Sequence, residues 1–275
     1  MATARPFADL RQRALSGAIL AALAFGLLWA GGPAAAALVG GLAAAMAWEW
    51  RSVTAERGAS PGLSGISVAG GAGAAVAVAH FAGTAWGLAT GAVAAGAMAG
   101  VDLLRGRPET APWSLIGVGL IALAGVAFLS LRALEPYGFL STFWVILVVA
   151  ASDTGGYFAG RLIGGRKLWP AVSPKKTWAG LAGGVALAFL LGGLFSWGTT
   201  GTYFHEVCTV SAAAALLAQG GDLAESAVKR RFGVKDAGGL IPGHGGVLDR
   251  CDGLIAATLV AAGATHWRGQ AVFIW

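Results

Sequence analysis

The stretch WSLIGVGLIALAGVAFLSL, from Trp113 to Leu131, is an apolar run without a single charged side chain. A helix of about 20 such residues crosses the hydrocarbon core of a bilayer. Eight more apolar runs, bounded by charges or by Gly and Pro, lie on either side of it, at roughly 15–30, 34–50, 63–82, 84–101, 138–151, 179–197, 205–221 and 253–270. We therefore predict an all-α, polytopic transmembrane helical bundle of about nine spans, several of them short.

The composition supports the membrane class. Only 12% of the residues are charged and 56% are hydrophobic, and the mean hydropathy is +0.70, which is unusual for a soluble domain. The 45 glycines suit closely packed transmembrane helices, although genomic base composition explains them equally well. Cys208 and Cys251 fit no zinc or disulfide pattern.

The basic residues indicate an orientation rather than a nucleic-acid partner. The formal charge is +6, but Lys and Arg are confined to short segments between apolar runs. With a cytoplasmic N-terminus, 17 of the 19 basic residues lie inside, and only Arg132 and Arg268 lie outside, as the positive-inside rule requires. The first run also resembles a cleavable signal peptide, but removing that span does not improve the charge asymmetry, so a retained helix is preferred.

Ionisable groups are distributed unevenly along the chain. Residues 1–110 are predicted to be anchoring and packing helices, whereas residues 111–275 form a catalytic half. This half contains two charged, glycine-rich segments, which we expect to be cytoplasmic loops over 152–178 and 222–252. Function is therefore expected in the second half.

The first loop begins with an acid and ends with a basic cluster. Asp153 directly follows an apolar run, where an unpaired carboxylate is costly and usually has a cationic partner. A helix cap or a salt bridge to Arg161 is the alternative explanation. Lys175 and Lys176 adjoin hydroxyl side chains, a grouping suited to phosphate oxygens, although they could equally be positive-inside anchors. The hydroxyls are those of Ser173 and Thr177.

The second loop concentrates carboxylates. If the segment that begins at Asp222 is helical, it presents Asp222, Glu225, Ser226 and Lys229 on one face. Asp249 and Asp252 share a face in the same way. Several carboxylates among many cations form a plausible site for Mg²⁺, which takes one or two carboxylates together with substrate phosphate oxygens.

A glycine-rich segment, GLIPGHGGVLDR, separates these acids. Gly243, Gly245 and Gly246 surround His244, and glycine lets the main chain approach a ligand so that its N–H groups can hold phosphates. A lone histidine is more often structural than catalytic. We favour a phosphate or headgroup contact for His244 over general-base catalysis, because a phosphate nucleophile is already an anion.

The combination of acids and cations favours phosphoryl or nucleotidyl transfer, in which positioning and charge neutralisation supply most of the catalysis. The sequence contains no serine-hydrolase elbow, Walker loop or HExxH zinc motif.

The stretch SAVKRRFGVKDAGGLIPGHGGVLDRCD closely resembles the signature of the phosphatidate cytidylyltransferases. The matching residues are Ser226, Lys229, Arg230, Lys235, Asp236, Pro242, His244 to Gly246, Asp249, Arg250 and Asp252. The upstream segments SDTGGYFAGR, SPKKT and GDLAES are also similar to family sequence. The resemblance is specific over about 152–253 and only compositional before that.

This resemblance implies attack of a phosphatidate phosphate on the α-phosphorus of CTP, which gives CDP-diacylglycerol and pyrophosphate. It implies Mg²⁺, and a second cation is possible in such a site. The implied metal ligands are Asp222 and Asp249 with Asp252 or Asp153. The implied catalytic set is Asp222, Asp249, Lys229, Arg230, Lys235, His244 and Arg250. The predicted substrate contacts are Asp153, Arg161, Ser173, Lys175, Lys176, Thr177, Ser226, Asp236, Gly245 and Gly246.

The location and the partners follow from the same resemblance. We expect an integral protein of the bacterial inner membrane, with its active site at the cytoplasmic face. Acyl chains would then stay in the lipid while CTP enters from the water. CTP, phosphatidate and membrane lipids are the expected partners, nucleic acid is not, and a homodimer through small-residue faces is plausible.

One departure and three alternatives remain. Ala179 stands where the family usually has glutamate, which bears on the placement of metal or lysine. The alternatives are a CTP-dependent transferase or kinase acting on another lipid, an inactive homologue, and a membrane transporter. Against a transporter, the acids cluster at one face and the two halves show no matching interrupted helices.

Overall fold

The computed structural model describes residues 6–54, 62–240 and 245–274, and in this part of the chain it contains nine α-helices. They are α1 (Pro6–Ala30), α2 (Gly32–Thr54), α3 (Gly62–Ala82), α4 (Thr84–Leu104), α5 (Ala111–Arg132), α6 (Gly138–Leu162), α7 (Trp178–Thr200), α8 (Phe204–Arg231) and α9 (Leu248–Arg268). The predicted all-α class is confirmed with one addition. Strands β1 (Lys167–Trp169) and β2 (Ser173–Thr177) form an antiparallel hairpin between α6 and α7.

Six of the described helices, α3 to α8, are long and apolar enough to cross a membrane. Their length and composition fit an integral membrane helical bundle. The described apolar part of α1, Gly17–Ala30, is shorter. The helices α2 and α9 lie outside this set, and both carry charged residues that reach the site described below.

The two segments expected to be loops are partly helical, which corrects their predicted boundaries. Helix α6 continues to Leu162 and helix α8 to Arg231, so the connections that follow them are shorter than 152–178 and 222–252. Glycines in this last part of α6 let it pack closely against α7. A Cβ atom at Gly155 would lie 2.5 Å from the carbonyl oxygen of Gly183, which is the close approach that small residues permit in membrane bundles.

The helices form two groups. Helices α2 to α5 pack around one apolar core and α6 to α9 around another. Helix α9 belongs to the second group but also packs against α5 and α2. The start of α9 therefore lies where the two groups meet, and residues from both halves of the chain can reach it.

Candidate functional site

Lys229 of α8 lies between two carboxylates. Its Nζ is 2.5 Å from Oε2 of Glu225, one turn earlier on the same helix, and 2.6 Å from Oδ1 of Asp249 on α9. All three side chains are largely buried. An ammonium group between two acids holds the end of α8 against the start of α9.

Asp249 also holds the connection between these two helices. Its carboxylate accepts hydrogen bonds from the main-chain N–H of Ala237, at 3.0 Å to Oδ2, and of Gly246, at 3.3 Å. Together with the Lys229 contact, these bonds use both of its oxygens. Asp249 therefore holds Ala237 and Gly246 in place as well as the α8–α9 contact.

Glu49 of α2 reaches the same segment, and it was missed by the sequence reasoning, which expected only anchoring from residues 1–110. It is 1% exposed, and its Oε2 accepts a 2.7 Å hydrogen bond from the N–H of Leu248. A lone acid inside an otherwise apolar run is the signal that could have found it, because acids within membrane helices are costly and usually functional.

A second ion pair joins the hairpin to α8. Nζ of Lys176 is 2.6 Å from Oδ2 of Asp222. Asp153 of α6 lies close enough to interact electrostatically with both of them, and Asp252 of α9 interacts in the same way with Asp222. The predicted acids of α6, α8 and α9 are thus brought together at one end of the bundle.

A basic cavity of about 350 Å³ adjoins this ion pair. Its charged and polar lining includes Asp153, Tyr157, Arg161, Lys175, Lys176 and Thr177. Thr177 caps α7 by accepting a hydrogen bond from the N–H of Gly180, and Nη1 of Arg161 donates to the Tyr157 hydroxyl at 2.7 Å. Three cations around one cavity suit an anionic group. The alternative salt bridge between Asp153 and Arg161 is not among the ion pairs of the described residues.

The carboxylates have the chemistry of a magnesium site without forming a closed cage. Within the described ranges, no three His, Cys, Asp or Glu side chains form a group that could by itself hold a metal ion. Mg²⁺ usually binds one or two carboxylates and takes its other ligands from substrate phosphates and water. Asp222, Asp249 and Asp252 all have carboxylate oxygens of the kind that Mg²⁺ prefers, and each of them also has a protein partner: Asp222 contacts Lys176, Asp249 contacts Lys229 and the N–H of Ala237, and Asp252 accepts from the N–H of Gly253. The metal assignments remain predictions.

Other predicted site residues lie near this cluster or at its edge. Ser226 contacts Asp222 weakly, at 3.4 Å between its Oγ and Oδ1. Ser173 begins β2, and Gly245 and Gly246 precede α9. Arg230, Lys235, Asp236 and Arg250 are exposed around the α8–α9 connection. His244, Pro242 and Gly243 lie outside the described residues. The catalytic and substrate roles of all these residues remain predictions.

The comparisons with known proteins agree with the resemblance. Residues 11–266 match the model of the cytidylyltransferase family. Three similar curated proteins are named phosphatidate cytidylyltransferase. The one from Brucella suis is 43% identical over 145 residues, covering 53% of this chain and 54% of the relative. The one from Bacillus subtilis is 38% identical over 146 residues, covering 50% and 54%. The one from Haemophilus influenzae is 44% identical over 129 residues, covering 45% of each. The match therefore spans about half the length of these relatives.

Proposed function

Because this chain belongs to the cytidylyltransferase family, we propose that it transfers the cytidylyl group of CTP to phosphatidate, giving CDP-diacylglycerol and pyrophosphate. The observation that carries this proposal is the Lys176–Asp222 ion pair. It places the basic cavity directly beside the carboxylates of α8 and α9. An anionic lipid group and a metal-bound triphosphate can therefore be held side by side.

In the proposed reaction, an oxygen of the lipid phosphate attacks the α-phosphorus of CTP in line. A new P–O bond forms, the bond from the α-phosphorus to the bridging oxygen breaks, and pyrophosphate leaves with the electron pair. The nucleophile is already an anion, so no general base is needed. Asp222 and Asp249, with Asp252 or Asp153, would hold Mg²⁺, which would neutralise charge on the phosphates. The cluster has enough carboxylates to bind a second cation as well.

The two substrates are assigned to different cations. The cavity with Arg161, Lys175 and Lys176 is proposed to take the lipid phosphate, because exposed apolar side chains of the same helix continue beyond it. Phe158 and Leu162 are 55% and 81% exposed, as expected for residues in contact with acyl chains. The glycine segment before α9, with its surrounding basic residues, is proposed to take the triphosphate. His244 would contact a phosphate there.

We also propose that the N-terminus is cytoplasmic, that all nine α-helices cross the membrane, and that the site lies at the cytoplasmic face of the bacterial inner membrane. The distribution of basic residues supports this orientation. Arg132 is one of the two basic residues that this orientation places outside, and it makes a structural contact there. Its Nε and Nη2 donate to the carbonyl oxygens of Leu28 and Trp29 at the end of α1, at 2.6 and 2.9 Å. A homodimer remains part of this proposal without a surface assigned to it.

The test is direct. The purified protein in detergent is supplied with phosphatidate and CTP labelled in its cytidine, with and without Mg²⁺. We expect Mg²⁺-dependent formation of a lipid that carries CMP, and its loss in Asp222→Asn. Glu206→Gln is the matched control, because Glu206 is an exposed acid at the start of the same helix.

Other outcomes would replace the proposal. A product formed only with another lipid phosphate would change the substrate. Transfer of phosphate from γ-labelled CTP without CMP would indicate a lipid kinase. Failure of every lipid phosphate and nucleotide with an intact preparation would favour an inactive homologue or a transporter.

A further inference from the structure

We propose that Glu49 of α2 is a positioning residue of the site, which fixes the start of α9 and the nearby glycines Gly238 and Gly246 and thereby sets the places of Asp249 and Asp252. The inference rests on the proposed function, because it assigns Asp249 and Asp252 to the substrate–metal site. It gives the N-terminal half a task in the reaction, in addition to anchoring and packing.

Glu49 supplies a cap that α9 does not provide for itself. The N-cap residue of α9 is Val247, which has no side-chain acceptor, and no side-chain cap bond forms there. The first N–H groups of a helix need partners from outside the helix. Oε2 of Glu49 accepts from the N–H of Leu248 at 2.7 Å, and a negative charge at this end also interacts favourably with the helix dipole.

Two glycines, Gly238 and Gly246, lie against the same carboxylate. A Cβ atom at Gly238 would lie 2.5 Å from Oε1 of Glu49, and one at Gly246 would lie 2.9 Å from its Oε2. The Gly246 position is also 2.8 Å from Oδ2 of Asp249. Glu49 and Asp249 therefore contact this residue together, and only a residue without a side chain leaves room for both.

The burial of Glu49 argues against a role in packing alone, because burying its carboxylate lowers the stability of the fold. Within the described part of the chain, its Oε1 is buried and has no hydrogen-bond partner. A buried carboxylate oxygen without a partner costs free energy, and a methionine or leucine would pack in this position without that cost. The acid is explained if its charge and its acceptor are needed to place the main chain of the site.

The test compares Glu49→Ala and Glu49→Gln with a control at another buried position of the same helix. Val39→Ala removes a buried side chain of α2 that packs toward Gly125 of α5, far along the helix from the site. We expect both alanine variants to lower the thermal stability. Only Glu49→Ala should raise the Mg²⁺ concentration needed for half-maximal activity, by about 10-fold or more, as for other residues that orient metal ligands.

Glu49→Gln keeps an acceptor for Leu248 and should lie between the wild type and Glu49→Ala. This graded rescue also keeps the inference testable if Glu49→Ala does not fold. The inference is wrong if Glu49→Ala, or Glu49→Gln in its place, keeps the Mg²⁺ dependence of the wild type and of Val39→Ala.

A second readout separates this inference from the proposed function. Lys235 is exposed in the α8–α9 connection, so trypsin reports on the order of that segment without any substrate. We expect faster cleavage after Lys235 in Glu49→Ala than in Val39→Ala. If the wild type makes no product but this difference appears, the proposed function fails and the positioning role stands. If the wild type is active and cleavage and Mg²⁺ dependence are both unchanged, the positioning role alone fails.

Discussion

Two ionic groups lie in the two halves of the molecule, the first fully buried and the second partly exposed, and they differ in charge balance. In the first half, Nη2 and Nη1 of Arg51 contact Oδ1 and Oδ2 of Asp102 at 2.7 and 3.0 Å, and the Ser114 hydroxyl donates to Oδ2 at 2.5 Å. One cation meets one anion in a bidentate pair. Such a pair satisfies itself and joins α2, α4 and α5.

The second group has more acids than cations. Lys229 lies between Glu225 and Asp249, and Lys176 pairs with Asp222, while Asp153 and Asp252 lie near Asp222. These described contacts thus join two lysines and five carboxylates in one cluster. A balanced pair stabilises a fold by itself, whereas an excess of negative charge favours binding of a cation, together with its ligands. The difference therefore favours a structural role for the first group and supports the proposed binding role of the second.

The largest expected effect comes from removing an unbalanced acid. Asp252→Asn should lower the rate of cytidylyl transfer by about 10³-fold, on the scale of lost electrostatic stabilisation of a transition state. In the absence of Mg²⁺ it should leave the thermal stability equal or higher, because it removes repulsion from Asp222. The measurement is activity together with a thermal melt in EDTA. A large fall in the EDTA melting temperature would contradict the assignment of this cluster as unbalanced.

The balanced pair should respond in the opposite way. Asp102→Asn leaves the Arg51 guanidinium buried without its anion, which should lower the free energy of unfolding by about 3–5 kcal/mol. Activity per folded molecule should remain near the wild-type value, because Asp102 lies outside the proposed site. The double variant Arg51→Met, Asp102→Leu should recover much of the stability. Loss of activity in the folded fraction would show that the two groups are coupled.

A smaller effect tests the close packing that places Asp249. Gly246→Ala puts a Cβ atom 2.8 Å from Oδ2 of Asp249 and 2.9 Å from Oε2 of Glu49, so one carboxylate must move. We expect a destabilisation of about 1–3 kcal/mol from overpacking and a fall in activity. Gly239→Ala is the matched control, since nothing lies within 4 Å of its added Cβ. Equal activity in the two variants would show that this packing does not position the site.

Much of the fold could be predicted from the sequence because apolar length is a strong local signal. The apolar run of α5 predicts a membrane-spanning helix by its length alone, without knowledge of tertiary contacts. Helix α6 was predicted too short because the hydrophobic run ends near Asp153, whereas the helix itself continues to Leu162, with its glycines packed closely against α7. The hairpin β1–β2 was not predicted. Its strands have three and five residues and carry no alternating apolar pattern.

The site was predicted only where one chain segment carries its own signal. The spacing of Asp222, Glu225 and Lys229 placed them on one helix face, and the structure confirms their grouping. The contact between Glu49 and Leu248 joins residues 199 positions apart. No local pattern indicates such a pairing, because it depends on how α9 packs between the two helix groups. For the same reason, the contact between Asp249 and the N–H of Ala237, 12 positions earlier, could not be read from the motif.

The smallest expected effect concerns Ala179, which lies in the first turn of α7. Glutamate there would favour the helix N-terminus by about 0.3–1 kcal/mol, and Ala179→Gln controls for size without charge. Lys176 already has Asp222 as its partner, so the added acid is not needed to place that lysine. We therefore expect Ala179→Glu to change the rate of transfer by less than about threefold, the range of such a surface charge effect. A rise well above that in Ala179→Glu but not in Ala179→Gln would show that the missing carboxylate limits the proposed transfer, and that the hairpin cations need a second acidic partner.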